Sequence, residues 1–134
     1  MKMTGRALYD AVVTLAAIIN RPRNLPQTAK YRLARMHQRL LPDYTLLEDE
    51  RVKLIRELGE PVYLDEAKTQ PTEQWRIPDE NTAAMTEYRM RWNTLLNEEI
   101  DVNVLPIPLA ALGNETNGIE ADEFVRLGDL VSEE

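Results

Sequence analysis

The chain contains no cysteine, which excludes disulfides, thiolate metal sites and cysteine nucleophiles and fits a cytosolic origin. It has one histidine, His37, so a triad or a zinc site would need partners that the chain cannot supply as Cys or His. His37 lies between Arg35 and Arg39, one position after Met36, which puts it on the flank of an amphipathic helix. Glycine is scarce, and Gly5, Gly59, Gly113, Gly118 and Gly128 are all isolated. There is therefore no phosphate-cradling loop, no dinucleotide fingerprint and no nucleophile elbow. Long apolar runs are missing too: the best candidate, AVVTLAAII at 11–19, contains Thr14 and falls short of the roughly 18 residues that cross a bilayer. That segment follows Lys2 and Arg6 as a signal-peptide core would, but NRPRN after it offers no small-residue cleavage site. These absences point to a protein that is not an enzyme, uses no cofactor or metal, and works off the membrane.

What is present is the balance of one soluble domain over residues 1–134, with 43% hydrophobic and 29% charged residues. The net charge of −7 conceals a division. Residues 1–42 hold eight basic groups against Asp10 alone, for +7, whereas residues 43–134 hold the other eight against 22 acids, for −14.

Apolar spacing places the elements. Leu8, Val12, Leu15 and Ile19, with Ala7, Ala11 and Ala16 between them, predict a helix over about 4–20 capped by Thr4. NRPRNLP at 20–26 breaks it. From Pro26 a stripe runs through Leu33, Met36, Leu40, Tyr44, Leu47, Arg51, Leu54 and Leu58 in steps of three and four. It keeps its phase through Pro42, which predicts one long helix over 27–58, kinked near Pro42, about 48 Å in length and stopped by Gly59. Arg51 is the polar intruder on that stripe and is expected to carry its charge outward past an apolar stem. Alternation predicts extended segments at 61–65 and 74–78. A third helix over 79–98 is capped by Asp79 and buries Ala84 or Met85, Tyr88, Trp92, Leu95 and Leu96. After GNETNG at 113–118, Phe124, Leu127, Leu130 and Val131 mark a short acidic helix over about 119–131.

Between these last two helices the pattern changes period. Ile100, Val102 and Val104 share one side, and from Leu105 the apolar set becomes Leu105, Ile107 and Leu109, with Pro106 and Pro108 alternating. Proline cannot donate to a ladder, so 100–109 reads as an edge strand or exposed arm. It either closes the chain's own small sheet or adds as a strand to a neighbour.

Two sets of charges invite a functional reading. Carboxylates cluster at LEDER (47–51), NEEID (97–101) and EADE (120–123) without the spacing of a hard-cation loop. Solvated faces account for them: Asp49 can pair with Lys53, and Glu120, Asp122 and Glu123 suit a helix's first turn. The basic residues Arg21, Arg23, Arg32, Arg35 and Arg39 have two readings. They meet phosphates, or they face acidic protein surface within the chain or across a subunit contact. The pI near 4.8 favours the second.

The order of a short first helix, LPQTAKYRLARMHQRL, LEDERVKLIRELGE, a loop, LLNEEIDVNVLPIPLAAL and a final IEADEFVRLGDLV resembles that of small helical proteins of tailed bacteriophages. The resemblance implies a viral structural or assembly protein of the host cytoplasm or the virion, acting by contacts with virion or host proteins and with itself. It brings no active site. An acidic inhibitor of a host protein is the alternative, and DNA contact through the basic third is the weaker one. The expected fold is mainly α with a small β element (α+β): an antiparallel helical hairpin, a third helix, and a two- or three-stranded sheet from 61–65, 74–78 and 100–109.

Overall fold

The computed structural model describes residues 1–113 and 117–133, so the middle of the GNETNG connection lies outside the described residues. The protein is mainly helical with short strands. Read above as one domain, the chain divides into two compact units, one formed by Met1–Tyr44 with Glu99–Glu134 and the other by Thr45–Glu98.

In the first unit, strand β1 (Lys2–Thr4) leads directly into α1 (Gly5–Asn20). Thr4 caps α1 as expected, its hydroxyl accepting from the Ala7 amide at 3.1 Å. Leu8, Ala11, Val12, Leu15 and Ile18 are buried, and Ile19, expected inside, is 41% exposed. The second helix, α2 (Gln27–Leu58), starts where the Pro26 carbonyl accepts from Lys30. Ile18 and Leu33 line one hollow near the turn, and farther out the rings of Tyr9 and Tyr44 lie 5.0 Å apart. An antiparallel return of α2 along α1 produces that pairing. The helix runs unbroken through Pro42. Pro42 cannot donate to Gln38, but both residues are exposed, so water can satisfy the carbonyl left over.

The rest of this unit comes from the end of the chain. Strand β4 (Glu99–Asp101) pairs antiparallel with β1, Met3 opposite Ile100, and the Val102 amide extends the ladder to the Met1 carbonyl at 2.7 Å. Strand β5 (Ile107–Pro108) pairs with β6 (Val131–Ser132). This pair is parallel, which requires a crossover, here over 109–130 through 3-10 turns and helix α4 (Ala121–Leu127) packed on α1. Leu8, Leu15, Ile18, Leu33, Leu40, Leu112 and Leu130 are almost wholly buried and form the core.

The second unit holds the remainder of α2, a hairpin of β2 (Glu60–Tyr63) and β3 (Pro71–Arg76), and α3 (Thr82–Leu96). Gly59 ends α2, its amide donating to Ile55 at 2.8 Å. The hairpin pairs Pro61 with Trp75, and Asp65 closes its connection by accepting from the Thr69 and Gln70 amides. Asn81, and not Asp79, caps α3: its side chain accepts from Ala84 at 3.2 Å, because a turn from Pro78 to Asn81 delays the helix. Arg51 is half-buried, bonded by both guanidinium arms to Glu48 and also to Tyr88. The Glu48 carboxylate holds its guanidinium well above the usual arginine range, ahead of the opposing effect of burial. Lys53 pairs with Glu50, three residues before it, and not with Asp49.

The expected sheet built from 61–65, 74–78 and 100–109 is thus corrected to three separate two-stranded pairs among the described residues. Residues 61–65 and 74–78 do find each other, but 100–109 joins residues 2–4 and 131–132 instead.

Candidate functional site

Arg32, Arg35 and Arg39 recur at three and four residues on the first half of α2, so a helix of 3.6 residues per turn sets them on one flank. All three are exposed, and among the described residues none forms an ion pair or a hydrogen bond. They form one wall of a groove of about 550 Å³ with Val104, Leu105, Pro106 and Ile107 opposite and Met36 between. His37, on the same helix, is half-buried and lines no part of it.

The opposite wall follows from how residues 100–109 are held. The segment is tied at one end to β1 and at the other to β6, and it crosses between them in no strand over 102–106. Ile100 sits in β4, and Val102, Val104 and Ile107 are buried, at 2%, 5% and 4% exposure. Leu105 is 82% exposed and Leu109 44%. This corrects one expectation. The parity changes across Leu105 and Pro106, which both face out, so Leu105 does not join the buried set. Both ends of the segment pair within the chain, each in a two-stranded pair.

The other two arginines part company. Arg21 is exposed and lines a neighbouring hollow of about 380 Å³ with Lys30, Ile18, Ile19 and Leu33. Arg23, expected as a contact residue, is instead committed internally. Its two guanidinium arms bond the Glu123 carboxylate at 2.7 and 3.2 Å, and it also donates to the Gly118 carbonyl at 2.5 Å. The side chains of Arg23 and Glu123 are only 7% and 10% exposed. Glu123 additionally accepts from the Glu120 amide at 2.9 Å, closing a capping box at the start of α4. The Arg23 hydrogen bonds hold this carboxyl below the usual carboxylate range, and the Glu120 amide adds to them against the opposing effect of burial. Gly118 has φ of +85°, and an added Cβ would stand 3.3 Å from the Arg23 side chain. Opposite charge from the two ends of the chain does meet here, through one pair.

A second set of exposed side chains was not anticipated from the sequence. In the Thr45–Glu98 unit, Leu47, Leu54, Leu96 and Pro78 are the buried apolar side chains, whereas Leu46, Val52, Leu64, Trp75 and Met90 are exposed. The face of α3 expected to be buried, from Ala84 and Met85 through Tyr88, Trp92 and Leu95, is only half-covered. The apolar positions were legible, but how completely the chain itself could cover them was not.

Chemically, the groove offers three cations beside an apolar wall, a setting that receives carboxylates or phosphates. Among the described residues no three carboxylate or histidine groups gather where they could hold a metal ion, and no helix is long and apolar enough to cross a membrane. Comparisons with known protein families, with curated proteins and with solved structures find no match for this chain.

Proposed function

We propose that this chain is a non-enzymatic structural or assembly protein of a bacteriophage, working by protein–protein contacts and associating with copies of itself. The observation that carries the reading is the thin core of the Thr45–Glu98 unit, in which three leucines and Pro78 are buried and five large apolar side chains are exposed. A unit of roughly 60 residues is marginal even when it buries about 60% of its chain's surface. Exposed apolar surface beyond what a small unit tolerates marks a contact with another protein. The charge division along the chain, +7 against −14, supports self-association, since the basic end of one copy meets acidic surface of the next. The phage setting rests on the order of elements in the sequence. Residence in the host cytoplasm or in a virion follows from it.

The test is the mass in solution, by light scattering and sedimentation over a range of protein and salt concentrations. A dimer or larger species that dissociates on dilution, and that Met90→Glu shifts toward monomer, is expected. A strict monomer at high concentration that also ignores virion proteins would overturn the reading.

A further inference from the structure

We infer that the groove between α2 and residues 104–107 is a docking site for an extended segment of another protein in which acidic and apolar residues alternate. The groove belongs to the Met1–Tyr44 and Glu99–Glu134 unit, whereas the exposed apolar side chains that carry the self-association reading belong to Thr45–Glu98; its arginines are part of the basic end named above, so the two readings are separated by protein concentration.

The two walls define the occupant. One carries Arg32, Arg35 and Arg39, exposed and without partners among the described residues. The other carries Leu105, 82% exposed, and Pro106, over a floor containing Met36 at 5% exposure. A ligand that satisfies both presents carboxylates to one side and apolar groups to the other. An extended chain does this by construction, because successive side chains point in opposite directions and those on one side repeat at about 6.7 Å. The arginines rise along α2 by about 4.5 and 6 Å, close enough for long side chains to meet every second residue of such a strand.

Nucleic acid would satisfy the arginines alone. Among the described residues no aromatic side chain lines the groove on which a base could stack. Leu105 and Pro106 would also be left without a counterpart. Charge complementarity together with the apolar wall therefore selects a protein ligand.

Fluorescence anisotropy with the full chain decides the matter, using three labelled probes: a short peptide of alternating glutamate and leucine, its glutamate–glycine counterpart, and a single-stranded oligonucleotide. Working below the concentration at which the protein associates keeps the two surfaces separate. The glutamate–leucine peptide is expected to bind in a salt-sensitive way. Its affinity should fall about tenfold when Arg32, Arg35 and Arg39 are all replaced by Gln, and severalfold in Leu105→Ser. These positions are exposed, so unchanged circular dichroism is expected for each variant; Arg35→Gln alone provides the same comparison with less perturbation. Failure of the glutamate–leucine peptide to bind, equal binding of the glycine counterpart, tighter binding of the oligonucleotide, or indifference to the arginine changes would each overturn the proposal.

Discussion

At the scale of single residues, the Arg23–Glu123 pair shows how one internal contact disposes of a charge that the sequence leaves unassigned. A carboxylate with little access to water is costly unless its lone pairs are filled, and Glu123 fills them with two guanidinium bonds and one backbone amide. Because its folded-state pKa is depressed, the pair stabilises the protein above the ordinary carboxylate pKa. That contribution is lost as pH falls through the lower, folded value. Glu123→Gln is therefore expected to cost about 2 kcal/mol near pH 7, and the gap from the parent should close as the pH is lowered below the ordinary carboxylate range. Urea unfolding of both proteins across that range measures it; a gap independent of pH would show that the lost ionic bond is not the cause. The pair was not legible in the sequence. Arg23 and Glu123 stand 100 positions apart, and no local spacing signals which of the five arginines will be taken. The flank of Arg32, Arg35 and Arg39 was legible, because helical periodicity alone sets it.

At the scale of elements, local signals served and non-local ones did not. The first cap at Thr4, the span of α2 and its passage through Pro42 all follow from spacing within a few residues. Strands of two to six residues carry too little pattern to name their partners, so the pairing of Ile100 with Met3 and of Ile107 with Val131 came only from the fold. Gly59 lies at the boundary between these cases. Its role as a terminator was legible, but its second role was not: a Cβ there would stand 2.2 Å from the Arg76 carbonyl of β3. The hairpin thus returns across the end of α2 at a distance that only glycine allows. Gly59→Ala is expected to destabilise the unit by about 2 kcal/mol, through forced movement of backbone. Gly128→Ala, where nothing lies within 4 Å and only φ of +54° resists, should cost about 1 kcal/mol. Thermal unfolding of the two variants compares crowding with conformational strain, and an equal effect would remove crowding as the explanation for Gly59.

At the scale of the molecule, the two units differ in how much they bury. The Met1–Tyr44 and Glu99–Glu134 unit contains all seven of the largest fully buried side chains, whereas Thr45–Glu98 relies on Leu47, Leu54, Leu96 and Pro78. The sequence concealed this, because apolar positions recur on α3 as regularly as on α1, and periodicity records where an apolar face is without recording what covers it. Amide exchange reads the difference directly, since local opening requires little free energy where few apolar contacts must separate. In dilute protein, amides of α3 and of the β2–β3 hairpin are expected to exchange faster than those of α1 and of the first half of α2. Self-association adds a second condition, because a partner that binds only the closed form stabilises it by mass action. Raising the protein concentration should therefore slow exchange in α3 and the hairpin while leaving α1 unchanged. Fast exchange in the Thr45–Glu98 unit at every concentration would mean that no copy of the chain covers its exposed side chains, and the self-association reading would fall. Slow exchange there even in dilute protein would mean that the thin core suffices by itself, and the need for a partner would disappear.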